Sequence, residues 1–229
     1  MNGDHGQPDS PLILFSGMGA DASVFALQKL AFPNLIVPNW PVPEDDDDLV
    51  SYCARLADSI NPNRPCIVGG ASFGGVVALE MTQHLDTRGC ILIGSVRGPH
   101  QLPKRIRMFR WFSPALEFVP IILLQRLAAL SVTAIRSVGA KHLASVLRQF
   151  AEADVNVLRW SAQQILRWNS NYDNVDTCHI HGDRDRVFPI SCLEPDKIVS
   201  GGGHVISMTH GPQVNEFLLK HVSRLTNAQ

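Results

Sequence analysis

The stretch from Cys66 to Glu80, which reads CIVGGASFGGVVALE, constrains the fold of this chain more than any other. Its apolar start predicts a strand, a glycine-rich turn follows, and the pattern from Val76 onward predicts a helix. Inside the turn lies a G-x-S-x-G motif centred on Ser72. The two arms of so sharp a turn nearly touch, which favours glycine on either side of the serine. Ser72 is therefore predicted to project above the strand end, in front of the helix N-terminus.

Two other kinds of glycine-rich turn fit this stretch poorly, and a third interpretation stays open. A dinucleotide-binding loop requires G-x-G-x-x-G, but Ala71 or Ser72 stands where the second glycine belongs. A phosphate-binding P-loop requires Lys and then Ser or Thr after its last glycine, but Val76 follows Gly75. A chance match is the remaining alternative, so the interpretation depends on the rest of the chain.

Predicted strands alternate with predicted helices over most of the chain. This alternation is typical of a mostly parallel, doubly wound α/β sheet, here with about six strands. Apart from the strand before Ser72, the predicted strands are Leu12–Phe15, Leu35–Val37, Gly89–Ser95, Thr177–His181 and Lys197–Ser200. The predicted helices around them are Ser23–Ala31, Leu49–Ile60, Phe73–Leu85 and Pro212–Leu225.

The segment from Arg97 to about Asn171 interrupts this alternation, because it contains no strand-like run. It is far too long for a simple crossover between two strands. Helical patterns cover Ile121–Ser137, Lys141–Ala153 and Val155–Trp168. We therefore predict an α/β core made of residues 1–96 and 172–229, with residues 97–171 inserted as a helical cap.

Charge is distributed unevenly between this insertion and the remainder. The whole chain carries a net charge of −1, which gives no global field for nucleic acid. Residues 97–150, however, hold nine basic side chains and one acid, Glu117, which leaves about −9 on the remainder. The excess of basic side chains is explained by a solvated helical surface or, alternatively, by the binding of an anionic partner at the cap. Within it, Lys104, Arg105, Arg107 and Arg110 form the densest basic cluster.

The cysteines and the apolar runs indicate the cellular compartment of the protein. Five cysteines are dispersed without a C-x-x-C pair, which is typical of reduced thiols in a core and argues against a zinc site. Leu12–Phe15 is too short for the apolar core of a signal peptide. Since no apolar run reaches about 18 residues, we expect no stable membrane insertion. These features together predict a cytoplasmic protein.

Five consecutive acids, Glu44–Asp48, precede the helix predicted from Leu49. Acids in a first helical turn are favoured by the helix dipole. A divalent metal site is the alternative, although adjacent acids lack the alternating spacing of a calcium loop. We expect no metal site in the chain.

Ser72, Asp185 and His204 each follow the end of a predicted strand, where parallel α/β sheets bind ligands. A serine hydroxyl needs a base to become a nucleophile, and histidine titrates in the appropriate range. An acid behind the histidine fixes its tautomer. His210 is an alternative base, but the three glycines before His204 favour His204. Asp183 is an alternative acid, although it follows Gly182 directly and is expected to cap the turn.

The turn Ser16–Asp21, which reads SGMGAD, follows the first predicted strand. A glycine-rich turn in this position can direct a backbone N–H toward the nucleophile, and Met18 is the candidate donor. An ordinary strand-to-helix turn is the alternative.

At this point the sequence resembles the α/β-hydrolase superfamily. The matching pieces are SGMG at 16–19, GGASFGG at 69–75, HGDRDRVFP at 181–189 and GGGH at 201–204, in the family's Ser, Asp, His order. The resemblance implies Ser72 as nucleophile, Asp185 as acid and His204 as base. It also implies backbone N–H groups of Met18 and Phe73 as the oxyanion hole.

The resemblance extends to the size and cap of one type of hydrolase and departs from the family in two places. The short chain with an inserted helical cap is similar to carboxylesterases of the pimeloyl-carrier-protein methyl esterase type. The family often has His-Gly in the first turn, where Ser16-Gly17 stands here. The usual N-terminal antiparallel hairpin is expected to be missing. Serine at the elbow argues against haloalkane dehalogenases and epoxide hydrolases, which carry aspartate there.

The resemblance implies a serine hydrolase that cleaves a carboxylic ester or thioester through an acyl-enzyme and needs no cofactor. An acyltransferase, a perhydrolase or a lyase on the same three residues stays open, as does a non-catalytic binding protein with this fold. The basic cluster favours an anionic partner, such as an acyl carrier protein or a coenzyme A thioester, in contact with Arg105, Arg107 and Arg110. Nucleic acid is not expected as a partner.

Overall fold

A computed structural model describes residues 10–111, 118–137 and 141–227 of the chain. Within them the sheet has five strands, all parallel and in sequential order. The strands are β1 (Leu12–Phe15), β2 (Cys66–Ala71), β3 (Thr87–Ile93), β4 (Thr177–Gly182) and β5 (Lys197–Val199). The expected lack of an N-terminal hairpin concerns residues before β1, and residues 1–9 lie outside the described part.

The sixth predicted strand, Leu35–Val37, is wrong as a full strand. Only Ile36 pairs with β1: its N–H donates to Leu12 O at 3.0 Å, and its carbonyl accepts from Leu14 N at 2.9 Å. Pro38 ends the pairing, because proline has no N–H to donate to a ladder. Ile36 lies on the side of β1 opposite to β2. The chain therefore reverses direction across the sheet at β1, which makes the ends of β1 and β2 the switch point where such sheets bind ligands.

The helices surround this sheet and include two that the sequence did not predict, α4 and α8. The proline-rich segment around α4 and the shortness of α8 leave no helical period to detect. The nine helices of the described residues are α1 (Ala26–Ala31), α2 (Leu49–Ile60), α3 (Phe73–Met81), α4 (Lys104–Met108), α5 (Ile121–Ser137), α6 (Lys141–Glu152), α7 (Val155–Arg167), α8 (Ile206–Thr209) and α9 (Gly211–Asn227).

Two apolar layers, one on each face of the sheet, follow from the alternation of side chains along a strand. In β1, Ile13 and Phe15 join the layer that contains α2 and α3, whereas Leu12 and Leu14 join the layer that contains α9. Every residue of α3 is buried, as expected for a helix that is apolar on all sides. This packing holds the helix that follows Ser72 rigidly against the sheet.

Helices α4 to α7 lie between β3 and β4, where the sequence predicts the cap. Helix α7 is anchored to the core, because Trp160 is buried and its Nε1–H donates to Asp47 O at 2.8 Å. Helix α5 packs on α6, and its buried Gln125 donates to Phe150 O at 3.0 Å and Ala153 O at 2.7 Å. The opposite side of α5 exposes aliphatic side chains: Ile122, Leu123, Leu127 and Leu130. The division into core and cap stays a prediction, and Glu117 lies outside the described residues.

The acid run Glu44–Asp48 precedes α2 and places no acid in its first turn. Asp48 caps the helix instead: its side chain accepts from Ser51 N at 2.9 Å, and its own N–H donates to Ser51 Oγ at 3.0 Å. Asp47 pairs with Arg55. No group of three or more potential metal ligands occurs in the described residues. Within the run, Asp48 thus caps a helix and Asp47 forms an ion pair.

All five cysteines are free, and four of them are buried as expected for core thiols. Cys192 differs, since it lies exposed in a short turn after β4. Among the helices of the described residues, none is long and apolar enough to cross a membrane.

Candidate active site

Ser72 occupies a strained backbone position between β2 and α3. Its φ of 54° and ψ of −124° lie where residues other than glycine are rarely found. A Cβ on Gly70 would lie 2.2 Å from Gly74 O, and one on Gly74 would lie 2.1 Å from Phe15 O. The turn therefore excludes larger residues at both positions. The Ser72 carbonyl accepts hydrogen bonds from Ser95 Oγ at 2.7 Å and Gly75 N at 3.0 Å, which hold the strained turn.

His204 lies directly opposite this serine, although 132 residues separate them in the chain. The distance from His204 Nε2 to Ser72 Oγ is 2.9 Å. The imidazole side chain is 23% exposed and meets the ring of Phe188 edge-on, with 5.5 Å between ring centroids. The loop after β5 thus presents His204 within hydrogen-bond reach of the hydroxyl, as a general base requires.

Asp185 is the carboxylate behind this histidine. Its Oδ2 lies 2.8 Å from His204 Nδ1, while its Oδ1 accepts from Val187 N at 2.7 Å and Phe188 N at 3.0 Å. Asp183, the alternative acid, instead accepts from Gly201 N at 2.8 Å and so holds the glycine loop that precedes His204. The structure brings Asp185 to the imidazole and gives Asp183 the capping position.

The carboxyl of Asp185 remains ionised well below neutral pH. Burial acts to raise its pKa, but hydrogen bonds from His181 and His204 and the charge of His204 outweigh burial, so the pKa lies far below the usual range. An ionised carboxylate at this position orients the imidazole and stabilises the imidazolium that forms when the serine loses its proton.

His210, the alternative base, forms no hydrogen bond with Ser72 within the described residues. Its Nδ1 lies 2.8 Å from Thr209 Oγ1 at the end of α8. Within the described residues, its recorded hydrogen bond is therefore a local one, and the geometry favours His204.

The Ser16–Asp21 turn lies against the nucleophile. A Cβ on Gly17 would lie 3.4 Å from Ser72 Cβ and 4.0 Å from Ser72 Oγ. Among the described residues, no hydrogen-bond acceptor is recorded for the backbone N–H of Met18 or of Phe73. Both N–H groups are thus available to an incoming oxygen atom, as an oxyanion hole requires.

Trp40, which sequence reasoning missed, fixes the shape of this turn. Its Nε1–H donates to Ser16 Oγ at 2.8 Å, and that hydroxyl in turn donates to Ala20 O at 2.7 Å. The indole also stacks on the ring of Phe73, with 5.8 Å between centroids. Ser16 stands where the family often has histidine. Its hydroxyl links the Trp40 indole to the backbone of the turn by hydrogen bonds. The only signal in the sequence was a lone tryptophan after the Ile36 segment.

Replacing Trp40 by phenylalanine is expected to keep the stacking but remove the hydrogen bond to Ser16. Because the turn carries the proposed Met18 donor, we expect kcat for an ester substrate to fall about tenfold with little change in KM. Steady-state kinetics checks this, with Trp111→Phe as the matched control, since Trp111 is 88% exposed. Equal kinetics in the two variants would show that the hydrogen bond from Trp40 to Ser16 does not support turnover.

The three basic residues predicted to contact substrate occupy different environments. The Arg105 guanidinium donates to the carbonyl of Arg186 and, at 3.1 Å, to Val187 O. It thereby ties α4 to the loop that holds Asp185. Arg107 and Arg110 are exposed. Within the described part of the chain, no hydrogen bond or ion pair engages the guanidinium of either residue.

A surface cavity of about 320 Å³ lies behind the Ser16 turn rather than over Ser72. It is bordered by Ser16 and Trp40 on one side and by Gln149, Asp154 and Val157 of the α6–α7 region on the other. Gln149 links the two sides, because its Oε1 accepts from Asp21 N at 3.0 Å. The cavity thus lies between the turn and the inserted helices, and Ser72 is not among the residues that line it.

The chain belongs to the alpha/beta hydrolase family, whose sequence model matches residues 12–217. The fold is similar over 95% of this chain and 91% of the other to a thermophilic esterase from Thermogutta terrifontis, with a TM-score of 0.74 and 15% identity. Among curated proteins, none matches the sequence.

Two further solved structures with this fold have other activities in their names. One is a mutant of the N-acyl homoserine lactonase AidH, with a TM-score of 0.66, 16% identity and coverage of 96% of this chain and 90% of that chain. The other is a mutant of the meta-cleavage product hydrolase CumD from Pseudomonas fluorescens IP01, with a TM-score of 0.60, 17% identity and coverage of 94% and 91%. At such identities the likeness concerns the fold, and the chain is a hydrolase by its family.

Proposed function

We propose that this protein is a serine hydrolase that cleaves a carboxylic ester or thioester. The observation that carries the proposal is the continuous contact from Ser72 Oγ through the His204 imidazole to Asp185, at 2.9 and 2.8 Å. Three groups of this kind, at hydrogen-bond distance and in this order, form the arrangement that activates a serine hydroxyl.

The reaction proceeds in two halves. Ser72 Oγ attacks the acyl carbon while His204 Nε2 takes the hydroxyl proton, and the oxyanion accepts hydrogen bonds from the N–H groups of Phe73 and Met18. His204 then gives that proton to the departing alcohol or thiol, which leaves an acyl ester on Ser72. Water attacks this ester with His204 again as base, and the acid is released. The sequence of steps requires no cofactor, and each oxyanion donor is worth about 3 kcal/mol in comparable sites.

Three neighbouring chemistries use the same groups and are distinguished by what attacks the acyl-enzyme or by which bond breaks. An acyltransferase passes the acyl group to another nucleophile, a perhydrolase passes it to hydrogen peroxide, and a lyase breaks a bond without water. The solved structures of similar fold include a lactonase and a meta-cleavage product hydrolase by name, so the fold alone does not select the bond that is cleaved. A binding protein is the alternative from a different class.

A panel of p-nitrophenyl esters of increasing acyl length, followed with and without added alcohol or peroxide, tests the proposal. Hydrolysis that depends on Ser72 and that added acceptors do not divert supports a hydrolase. A product that contains the acceptor in preference to the free acid assigns the transfer chemistry. Absence of turnover across esters, thioesters and lactones by the folded protein favours the binding protein.

The inserted residues 97–171 are proposed to act as a cap over this site. The support is that α7 reaches the elbow, since Trp160 meets the Phe73 ring edge-on at 6.0 Å between centroids. The exposed aliphatic side of α5 adds apolar surface to the same insertion. Such a surface suits an acyl chain. The resemblance to carboxylesterases of the pimeloyl-carrier-protein methyl esterase type also implies a substrate with an acyl chain.

The basic cluster of the cap is proposed to attract an anionic substrate, such as an acyl group on an acidic carrier protein or on coenzyme A. Arg107 and Arg110 are the proposed contacts, because Arg105 is engaged with the Asp185 loop. A cytoplasmic location, which the five free cysteines support, agrees with substrates of this kind.

Salt is expected to slow the reaction of an anionic acyl substrate and to leave a neutral short-chain ester unaffected. A fixed positive patch raises encounter rates with anions, and ions screen it over about 10 Å at 0.1 M. The double substitution Arg107→Gln with Arg110→Gln is expected to flatten the salt dependence of kcat/KM for the anionic substrate.

The matched control removes two exposed charges elsewhere, by Lys29→Gln with Arg64→Gln. It should preserve the salt dependence, since Arg64 precedes β2 and so lies toward the sheet end opposite to Ser72. If the anionic and neutral substrates respond equally to salt, the cap charge does not steer the substrate.

A further inference from the structure

Two buried histidines of β4, His179 and His181, lie directly behind the acid and are not used by the proposed reaction. Both are completely buried. His181 Nε2 lies 3.2 Å from Asp185 Oδ2 and 2.9 Å from Phe188 O, while its Nδ1 lies 3.2 Å from His179 Nε2. The alternation of side chains along a strand places both rings on the same face of β4. Together they extend the line of polar contacts from Ser72 into the core.

The partners of His181 determine where its hydrogen sits. Nε2 faces two oxygen atoms, the Asp185 carboxylate and the Phe188 carbonyl, and both only accept hydrogen bonds. Nε2 therefore carries the hydrogen and donates it. A neutral ring then has an accepting Nδ1, so His179 must donate its own Nε2–H to it.

His179 is suited to that assignment, because it is held neutral. Burial is the main cause that lowers the pKa of His179 to about 3. With its hydrogen on Nε2, its Nδ1 bears none, and within the described residues this atom has no hydrogen-bond partner. The opposite assignment would leave His179 Nε2 without a hydrogen and would set it against the accepting Nδ1 of His181, so that two acceptors would face each other at 3.2 Å.

The carboxylate of Asp185 thereby faces four N–H groups. Val187 N and Phe188 N donate to Oδ1 and His204 Nδ1–H donates to Oδ2, while His181 Nε2–H is shared between Phe188 O, at 2.9 Å, and Oδ2, at 3.2 Å. Four is about the number of lone-pair sites that an ionised carboxylate offers. The carboxylate is fixed in rotation, and its negative charge is shared between two imidazoles instead of being directed to His204 alone.

We propose that His181 is a positioning residue for the acid of this site: its Nε2–H fixes the orientation and charge distribution of Asp185, and through Asp185 it sets how strongly His204 Nδ1–H is held. His179 fixes the tautomer of His181. The proposal rests on the proposed function only for its kinetic consequences, because the hydrogen-bond chain exists whether or not an ester is the substrate.

The charged and titratable groups around this pair are few. Asp185 and His179 face His181. Near His179, the carboxylate of Asp196 accepts from His179 N at 2.6 Å and is paired with Arg97. His204 lies beyond Asp185. Within the described residues, no carboxylate other than Asp185 contacts the His181 ring. If a substitution of His181 shifts the pH profile, the substitution therefore acts on His204 through Asp185.

His181→Leu removes the donor to Asp185, whereas His181→Gln keeps one, since an amide can donate to Asp185 and accept from His179. We expect kcat to fall about 30-fold in His181→Leu, with the acid limb of the kcat/KM–pH profile displaced to higher pH. The displacement arises because a carboxylate that has lost one donor holds the imidazolium of His204 more tightly. His181→Gln should recover most of the rate and the profile.

A second readout does not depend on turnover. The low-field proton resonance of His204 Nδ1–H, observed by NMR, should move in His181→Leu and stay close to its wild-type position in His181→Gln. His84→Leu is the matched control, because His84 Nε2 likewise contacts a buried carboxylate, Glu80 Oε1, at 3.1 Å. It should leave both the resonance and the pH profile unchanged.

The outcomes separate this proposal from the proposed function. If the wild-type protein hydrolyses no ester, the resonance still tests the positioning role. If His181→Leu is folded by circular dichroism and keeps the wild-type resonance, the proposal is overturned, as it is by an unshifted pH profile in an active enzyme. Should His181→Leu fail to fold, His179→Leu provides the test, since it removes the donor to His181 Nδ1 and should also displace the resonance.

Discussion

Replacing Ser72 by alanine is expected to lower kcat for p-nitrophenyl acetate by at least about 10⁴-fold, since removing the nucleophile from such a site removes nearly all of its covalent chemistry. The fold should be preserved, because alanine experiences the same backbone strain at a φ of 54° and the turn is held by main-chain contacts. Stopped-time assays of purified protein, with circular dichroism of the same samples, measure both quantities.

Ser59→Ala is the matched control for this substitution. Ser59 lies on helix α2, and its Oγ donates to Leu56 O at 2.7 Å, a contact within the same helix. Its loss should leave the rate within about twofold, as for most surface substitutions. A Ser72→Ala variant that turns over ester at the wild-type rate would show that the nucleophile is another group.

The exchange of Asp185 for asparagine is expected to lower kcat by about 10⁴-fold with the structure intact. An amide has only one accepting atom, and the N–H groups of Val187 and Phe188 hold it in place of Oδ1. The NH2 group then faces His204 Nδ1, so the imidazole adopts the wrong tautomer. The loss should appear in kcat, since Asp185 is buried and stabilises the imidazolium that forms during the reaction.

Asp183→Asn separates the two acids of the HGDRD segment. Its amide oxygen can still accept from Gly201 N, as the carboxylate does at 2.8 Å, so we expect a loss of less than about tenfold. The order of the two effects decides the assignment. A larger loss in Asp183→Asn than in Asp185→Asn would transfer the role of the acid to Asp183.

Much of the fold follows from local pattern. The bounds of α2 and α5 agree with the helical spacing in the sequence, and the strand starts of β1, β2, β4 and β5 agree with the apolar runs. Long periodic segments are predictable because their burial repeats along the chain. The Leu35–Val37 segment was over-predicted for the same reason: its apolar side chains suit a strand, but the prolines beside it limit pairing to a single bridge.

The candidate site was predictable where a side chain is presented by a recognisable turn. Ser72 and His204 lie in glycine-rich turns, and the structure brings them within 2.9 Å of each other. Their catalytic roles stay a prediction until activity is measured. The choice between Asp183 and Asp185 was not predictable with certainty, because both lie in the same polar loop and only the direction of each side chain separates them.

Residues that act through long-range contacts left little or no signal. Trp40 reaches Ser16 from a distant loop, and Arg105 reaches the carbonyls of the Asp185 loop across 81 residues. His181 precedes the glycine of a recognisable motif, but its hydrogen bond to Asp185 depends on the path of the loop that follows β4. Charge counting likewise placed Arg105 in a substrate-binding role, whereas its guanidinium contacts backbone carbonyls.

The most direct test of the central claim, that Ser72 is the activated nucleophile, is covalent labelling with a fluorophosphonate followed by mass spectrometry. We expect one adduct per folded chain, located on the peptide that contains Ser72 and lost when the protein is denatured or carries His204→Ala. Loss in the histidine variant is essential, because it shows that the hydroxyl reacts only with its base in place. No adduct on the folded protein, or an adduct on another residue while Ser72 stays unmodified, would contradict the account.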